Sequence, residues 1–151
     1  MTYELTSGDY TVSDDSTRID LEYVHAFLTQ SYWSPGIPRE VVERGIENSL
    51  TLGVYDASDS QCGFGRVITD RATYAYIADV FVDDRERGKG LGKLLMRAIM
   101  SHPELQGLRR WSLATRDAHG LYRQFGFREM AHPEWFMEIA DPDVYKRGQS
   151  D

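Results

Sequence analysis

The stretch from Val80 to Lys93 constrains this chain more than any other. Val80-Phe81-Val82 closes an apolar strand, Asp83 to Arg87 form a charged turn, and Gly88, Gly90 and Gly92 open an amphipathic helix. Each glycine inside a helix costs roughly 1 kcal/mol relative to alanine, so alternating glycines at a helix start point to a use for bare backbone. A helix N-terminus has unpaired N–H donors and the positive end of the helix dipole, which together hold a phosphate or diphosphate. Arg87 and Lys89 add positive charge beside it. The Walker pattern requires Ser or Thr after its lysine, whereas Leu94 follows Lys93, and the dinucleotide fingerprint requires glycine where Leu95 stands. A plain glycine-rich surface turn is the structural alternative.

The flanking pattern supplies the rest of the fold. Leu21, Val24, Phe27, Leu28 and Tyr32 recur at helical spacing over about Asp20 to Tyr32, and Ser34 to Pro38 break that helix. A second helix starts with Pro38 in its first turn and runs to about Ser49. Thr51 to Tyr55, Gly63 to Thr69 and Thr73 to Val82 read as a meander, after a first strand near Tyr10 to Ser13. Leu91, Leu94, Leu95, Ala98 and Ile99 form the buried stripe of a helix over about Gly90 to Ser101, which His102-Pro103 ends. Trp111 to Thr115 is a buried strand, and Asp117 is placed to cap a helix through about Phe125 whose C-terminal turn uses Gly126. Phe127 to Met130 and Glu134 to Ile139 read as two final strands, and Arg147 to Asp151 as a frayed tail.

With Arg87, Gly90 and Gly92 matching R/Q-x-x-G-x-G/A, the sequence resembles the GNAT (Gcn5-related N-acetyltransferase) superfamily. Ala118, Leu121, Tyr122, Gly126 and Phe127 match that superfamily's A-x-x-L-Y-x-x-x-G-F helix, and the element order agrees from about residue 18 to 140. The resemblance implies one α+β domain over 1–151, with a mixed, mostly antiparallel central sheet splayed between its fourth and fifth strands and flanked by helices. It implies acetyl-CoA as co-substrate, without a metal. The diphosphate would lie on the amides of Arg87, Gly88, Lys89, Gly90, Leu91, Gly92 and Lys93, and the pantetheine arm would lie along Val80, Phe81 and Val82 as an added strand.

Acyl transfer from a thioester to an amine needs a neutral amine, a stabilised oxyanion and a proton for the departing thiolate. The resemblance places a backbone N–H near Val80 at the oxyanion and makes Tyr122 the proton donor. Asp79 is the candidate base, although strand alternation turns it away from Ala78 and Val80 unless a bulge re-aims it. No glutamate stands at the positions some relatives use, which leaves a water-relayed base or recruitment of neutral amine. Tyr32 and Trp33, before a loop stiffened by Pro35 and Gly36, either line an acceptor pocket or cap the core between the first two helices. His119 reads as a surface residue and Cys62 as a small core residue.

The bulk properties agree. A chain of 151 residues fits one domain, and no apolar run approaches the ~20 residues of a membrane span. The formal charge of −7 disfavours nucleic acid and weakly favours a neutral or cationic partner, here a small-molecule or peptide amine. An N-terminus containing Glu4 and Asp9, without an apolar run, and a lone Cys62 fit a cytoplasmic address; a homodimer is compatible with all of this. A non-catalytic coenzyme A-binding module, or a transferase using a longer acyl-CoA or a protein acceptor, stays open, though Tyr122 argues against the first.

Overall fold

The structure, a computed structural model, describes residues 2–147. Six strands form one open sheet in the order β1 (Glu4–Ser7), β2 (Tyr10–Ser13), β3 (Leu50–Tyr55), β4 (Gln61–Thr69), β5 (Tyr74–Val82) and β6 (Arg110–Leu113). Neighbours are antiparallel except β5 and β6, which run parallel, so the expected mixed, mostly antiparallel α+β sheet is present. The strand β1 was not expected, and it moves the fourth strand of the sequence reading to β5.

Helices cover both faces. Asp20 caps α1 (Leu21–Leu28) by accepting from the Tyr23 N–H at 3.1 Å, and Pro38 stands at the N-cap of α2 (Arg39–Glu47), one position before the helix proper. Val24, Leu28, Ile37 and Val42 pack there with Phe64 and Phe81, whose ring stacks on Phe27 at 3.8 Å. On the other face α3 (Leu91–Met100) buries the predicted stripe and also Met96 against Leu52, Val67, Ala75 and Ile77. Its end is tied to β2 through His102, which is buried: Nε2 lies 2.8 Å from Asp14 Oδ2, and Nδ1 accepts from the Glu104 N–H at 3.1 Å. That acceptance puts the ring proton on Nε2, where it donates to the carboxylate.

Several expectations fail at the C-terminal end. Asp117 is not the cap of the short α4 (His119–Arg123); Ala118 holds that position, and its N–H donates to Thr115 Oγ1 at 3.0 Å. Neither Phe127 to Met130 nor Glu134 to Ile139 forms a strand, because neither finds a pairing edge among the described residues; a single 3-10 turn at Pro133–Trp135 interrupts the second. Of the expected tail, Arg147 instead pairs with Asp141, and residues 148–151 lie outside the described residues. No helix among the described residues is long and apolar enough to cross a membrane.

Candidate active site

The glycine turn has the conformation its sequence requires. After a 3-10 turn at Asp84–Glu86, Gly88 (φ 83°) and Gly90 (φ 76°) adopt the left-handed region, and Gly90 is the N-cap of α3 with no side chain closing it. A Cβ at either glycine would meet no atom within 4 Å, so backbone rather than packed side chain fronts the turn there. Leu91 is buried in the core and offers only its amide, whereas Lys93 is exposed. Both turn cations are held locally: Arg87 reaches Asp84 at 2.8 Å, and Lys89 donates to Glu86 at 2.7 Å and to the Tyr10 hydroxyl at 3.2 Å. The Glu86 carboxylate raises the Lys89 pKa well above the ordinary lysine range, and the Lys89 bond lowers that of Glu86.

Beside the turn the sheet splays. The β5–β6 ladder ends at Ile77↔Leu113, while β5 continues to Val82. Across its other edge β5 is bulged: Phe64 pairs with Phe81 and Arg66 with Ala78, so Gly65 opposes both Asp79 and Val80. The extra residue reverses the strand's faces, since Ala75 and Ile77 belong to the α3 core but Phe81 to the α1–α2 core. Val80 and Val82 pack on the α3 side. Asp79 itself, at φ 57°, swings to the α1–α2 side. There Oδ2 accepts from Arg66 Nε at 2.8 Å and Oδ1 from Trp33 Nε1 at 2.9 Å.

A cleft of about 690 Å³ opens where β5 and β6 part, and it brings together Asp79, Val80, Tyr122, Tyr32 and Trp33. Tyr122 projects from α4, 9% exposed, with its ring edge-on to Phe127 at 6.1 Å. Its hydroxyl makes no hydrogen bond among the described residues. Burial raises its pKa, with the Tyr32 and Asp117 side chains adding to the shift, so the phenol stays protonated at neutral pH. Tyr32 and Trp33 stand edge-on to each other at 5.0 Å, and both are substantially exposed at the cleft, which sets them apart from buried core. The Arg116 guanidinium lies over the Tyr32 ring at 3.9 Å, and the Arg116 N–H donates to the Tyr32 hydroxyl at 3.2 Å. Cys62 lies in the core, and burial pushes its thiol up to about 11, which removes it as a nucleophile.

Sequence reasoning missed Arg66, Tyr76, Arg116 and the wall formed by Asp141, Val144 and Tyr145, all of which line this cleft. Arg66 carried a signal, a cation within the otherwise apolar Cys62 to Ile68 run, whose natural explanation is a carboxylate partner across the sheet. Arg116 and the C-terminal wall carried none, because their places depend on the path of the chain after β6.

Residues 47–129 match the family model described as Acetyltransferase (GNAT) domain, more than half of the chain, and the chain belongs to this family. A crystal structure of a GNAT-family protein from Xanthomonas campestris pv. campestris superposes with a TM-score of 0.89 at 45% identity, covering 93% of this chain and 99% of that one. A Gibberella zeae relative named as an acetyltransferase is 27% identical over 139 residues, 78% of this chain and 77% of the relative. Serotonin N-acetyltransferase 2, chloroplastic, of Oryza sativa subsp. japonica is 28% identical over 132 residues, 82% of this chain and 64% of that protein.

Proposed function

We propose that this chain is an acetyl-CoA dependent N-acetyltransferase that moves the acetyl group to a primary amine of a small molecule or peptide by direct attack through a tetrahedral intermediate. The observation that carries the reading is the meeting, in one cleft, of Tyr122, Asp79 and the length of β5 that β6 does not follow. The amides of the turn from Arg87 to Lys93 receive the diphosphate. The backbone of Val80 to Val82 receives the pantetheine amides, as a sheet edge receives an added strand. The Val80 N–H supports the oxyanion, a preorganised donor of a kind worth up to a few kcal/mol. Tyr122, buried and protonated, gives its proton to the thiolate.

With a guanidinium on one oxygen and an indole N–H on the other, Asp79 is held in place to seat the amine at the cleft. The amine proton then passes from the open cleft to Asp79 or solvent through water. Tyr32, Trp33, Tyr76 and Tyr145 give the cleft aromatic walls, which suit an amine with an apolar or aromatic body. The name of the rice relative points the same way. The test is thiol release from acetyl-CoA with a panel of arylalkylamines, polyamines, aminoglycosides, amino acids and peptides. Saturable turnover with arylalkylamines is expected; acetyl-CoA binding without acetylation of any amine would refute the enzymatic reading.

A further inference from the structure

The Arg66–Asp79 pair lines two recesses. One is the cleft where β5 and β6 part; the other, under α2, is a cavity of about 340 Å³. Ile37, Arg66, Asp79 and Tyr145 border both, so the two recesses adjoin across a shared threshold. Beyond that threshold the lining is apolar: Leu28, Val42 and Phe64 are buried, and Val41 and Ile46 are half-buried beside them. Arg44 and Asn48, both exposed, are its remaining polar lining. The volume falls within the roughly 300–1,000 Å³ range of small-ligand pockets.

Gly45 keeps this cavity open. It stands inside α2, where glycine is a poor helix former, and a Cβ there would meet the Arg66 guanidinium with its nearest contact at 3.6 Å. Alanine would therefore fit, whereas a longer side chain would run over the guanidinium into the cavity. Arg66 is fixed in place, since Nε donates to Asp79 at 2.8 Å and Nη1 to Ser49 Oγ at 3.1 Å. Its charge balances that of Asp79, so the pair directs an amine by hydrogen bonds more than it holds one by charge. Affinity for the acceptor then falls to its apolar body.

We infer that the cavity under α2 is a tail subsite for the acceptor, taking a hydrocarbon body whose amine end lies at Asp79. The preferred acceptor is then a primary amine with a linear alkyl or arylalkyl body long enough to pass Ile37 and Tyr145. The inference rests on the transferase reading above and adds the direction in which the acceptor lies. A small amine confined to the cleft would leave the apolar lining under α2 unused. Each methylene that crosses the threshold and leaves water raises affinity about fourfold.

Calorimetry of the full chain with coenzyme A present, titrated with n-alkylamines from propylamine to octylamine at one pH, tests this without requiring turnover. Thiol release from acetyl-CoA with the same amines is read separately; its absence would refute the transferase reading, while the chain-length series still reports on the cavity. Affinity should rise about fourfold per methylene until the cavity is filled, with one amine bound per chain. In Gly45→Leu the series should flatten, with octylamine losing at least about tenfold in affinity. Acetyl-CoA affinity and the far-ultraviolet spectrum report whether the variant is folded, and Val41→Phe, at a half-buried lining position, supplies a second plug if it is not. Equal affinity for propylamine and octylamine in the parent protein overturns the inference. So does a folded plugged variant that binds octylamine as tightly as the parent, since the chain would then lie along the cleft instead.

Discussion

Replacing Tyr122 by Phe removes one oxygen and leaves the ring. The hydroxyl bonds to no described residue, so its loss strands no partner, and the Phe127 contact at 6.1 Å remains. The expected stability change is below about 1 kcal/mol. If the phenol protonates the thiolate, the chemical step loses a general acid, typically worth 10²–10⁴-fold or about 2.7–5.5 kcal/mol. A thiol of pKa ~8.5 is already a fair leaving group, which places the expected loss near 10²-fold in kcat with little change in acetyl-CoA affinity. The pH profile gives a second handle. A phenol acts as an acid only below its pKa, and burial raises that of Tyr122 above 10.0. Activity due to Tyr122 is therefore retained up to about pH 10 and lost only beyond it, so the parent rate should not fall between pH 6 and 9. Single-turnover thiol release separates chemistry from product release. A drop smaller than about threefold with chemistry rate-limiting, or an alkaline fall below pH 9 that the variant abolishes, would refute the reasoning.

Gly90→Val forces a β-branched residue into φ 76°, at a cost of about 1–3 kcal/mol, and covers the turn amides. Acetyl-CoA affinity by calorimetry should fall at least about tenfold, and unchanged affinity in a folded variant would remove the turn from the binding site. Trp33→Ala removes the donor 2.9 Å from Asp79 and one aromatic wall, so the acceptor KM should rise several-fold while the acetyl-CoA KM holds. Equal acceptor kinetics would place the acceptor elsewhere. In Gly53→Ala the new methyl runs into the Tyr55 ring and hydroxyl, an overpacking cost of about 1–3 kcal/mol that lowers Tm and that Gly53→Ala/Tyr55→Phe should partly return. A Tm equal to the parent's would show that the ring moves aside freely.

The legible parts of the molecule are those in which local sequence and local structure coincide. The α3 stripe follows from one helical period, the turn from three glycines, and Tyr122 from a motif within one short helix. The parts that were not legible depend on partners distant in the chain. Helix α4 begins where Thr115, rather than Asp117, reaches the Ala118 N–H, a choice set by how β6 delivers the chain. Glu134 to Ile139 has a sound strand pattern, but among the described residues the segment meets β6 through the Phe136 ring on Arg110 without joining the sheet.

Asp79 shows what pattern reading lacks. Simple alternation puts residue 79 with Ala75 and Ile77, toward α3, where a carboxylate would be stranded in an apolar core. The bulge against Gly65 turns it instead toward Arg66 and Trp33, and holds a non-glycine residue at φ 57°, which costs of order 1–3 kcal/mol. The charge-assisted bond from Arg66 and the indole bond from Trp33, each worth about 1–3 kcal/mol, are of the size needed to offset that strain. Arg66 lies on β4 and Trp33 in the loop after α1, so three separate segments must be in place before the side chain takes this direction. The same inserted residue shifts Val80 onto the α3 side at the point where β6 has left β5, beside Tyr122. A single irregularity of one strand thus sets both the carboxylate and the backbone of the cleft, and neither follows from β5 read alone.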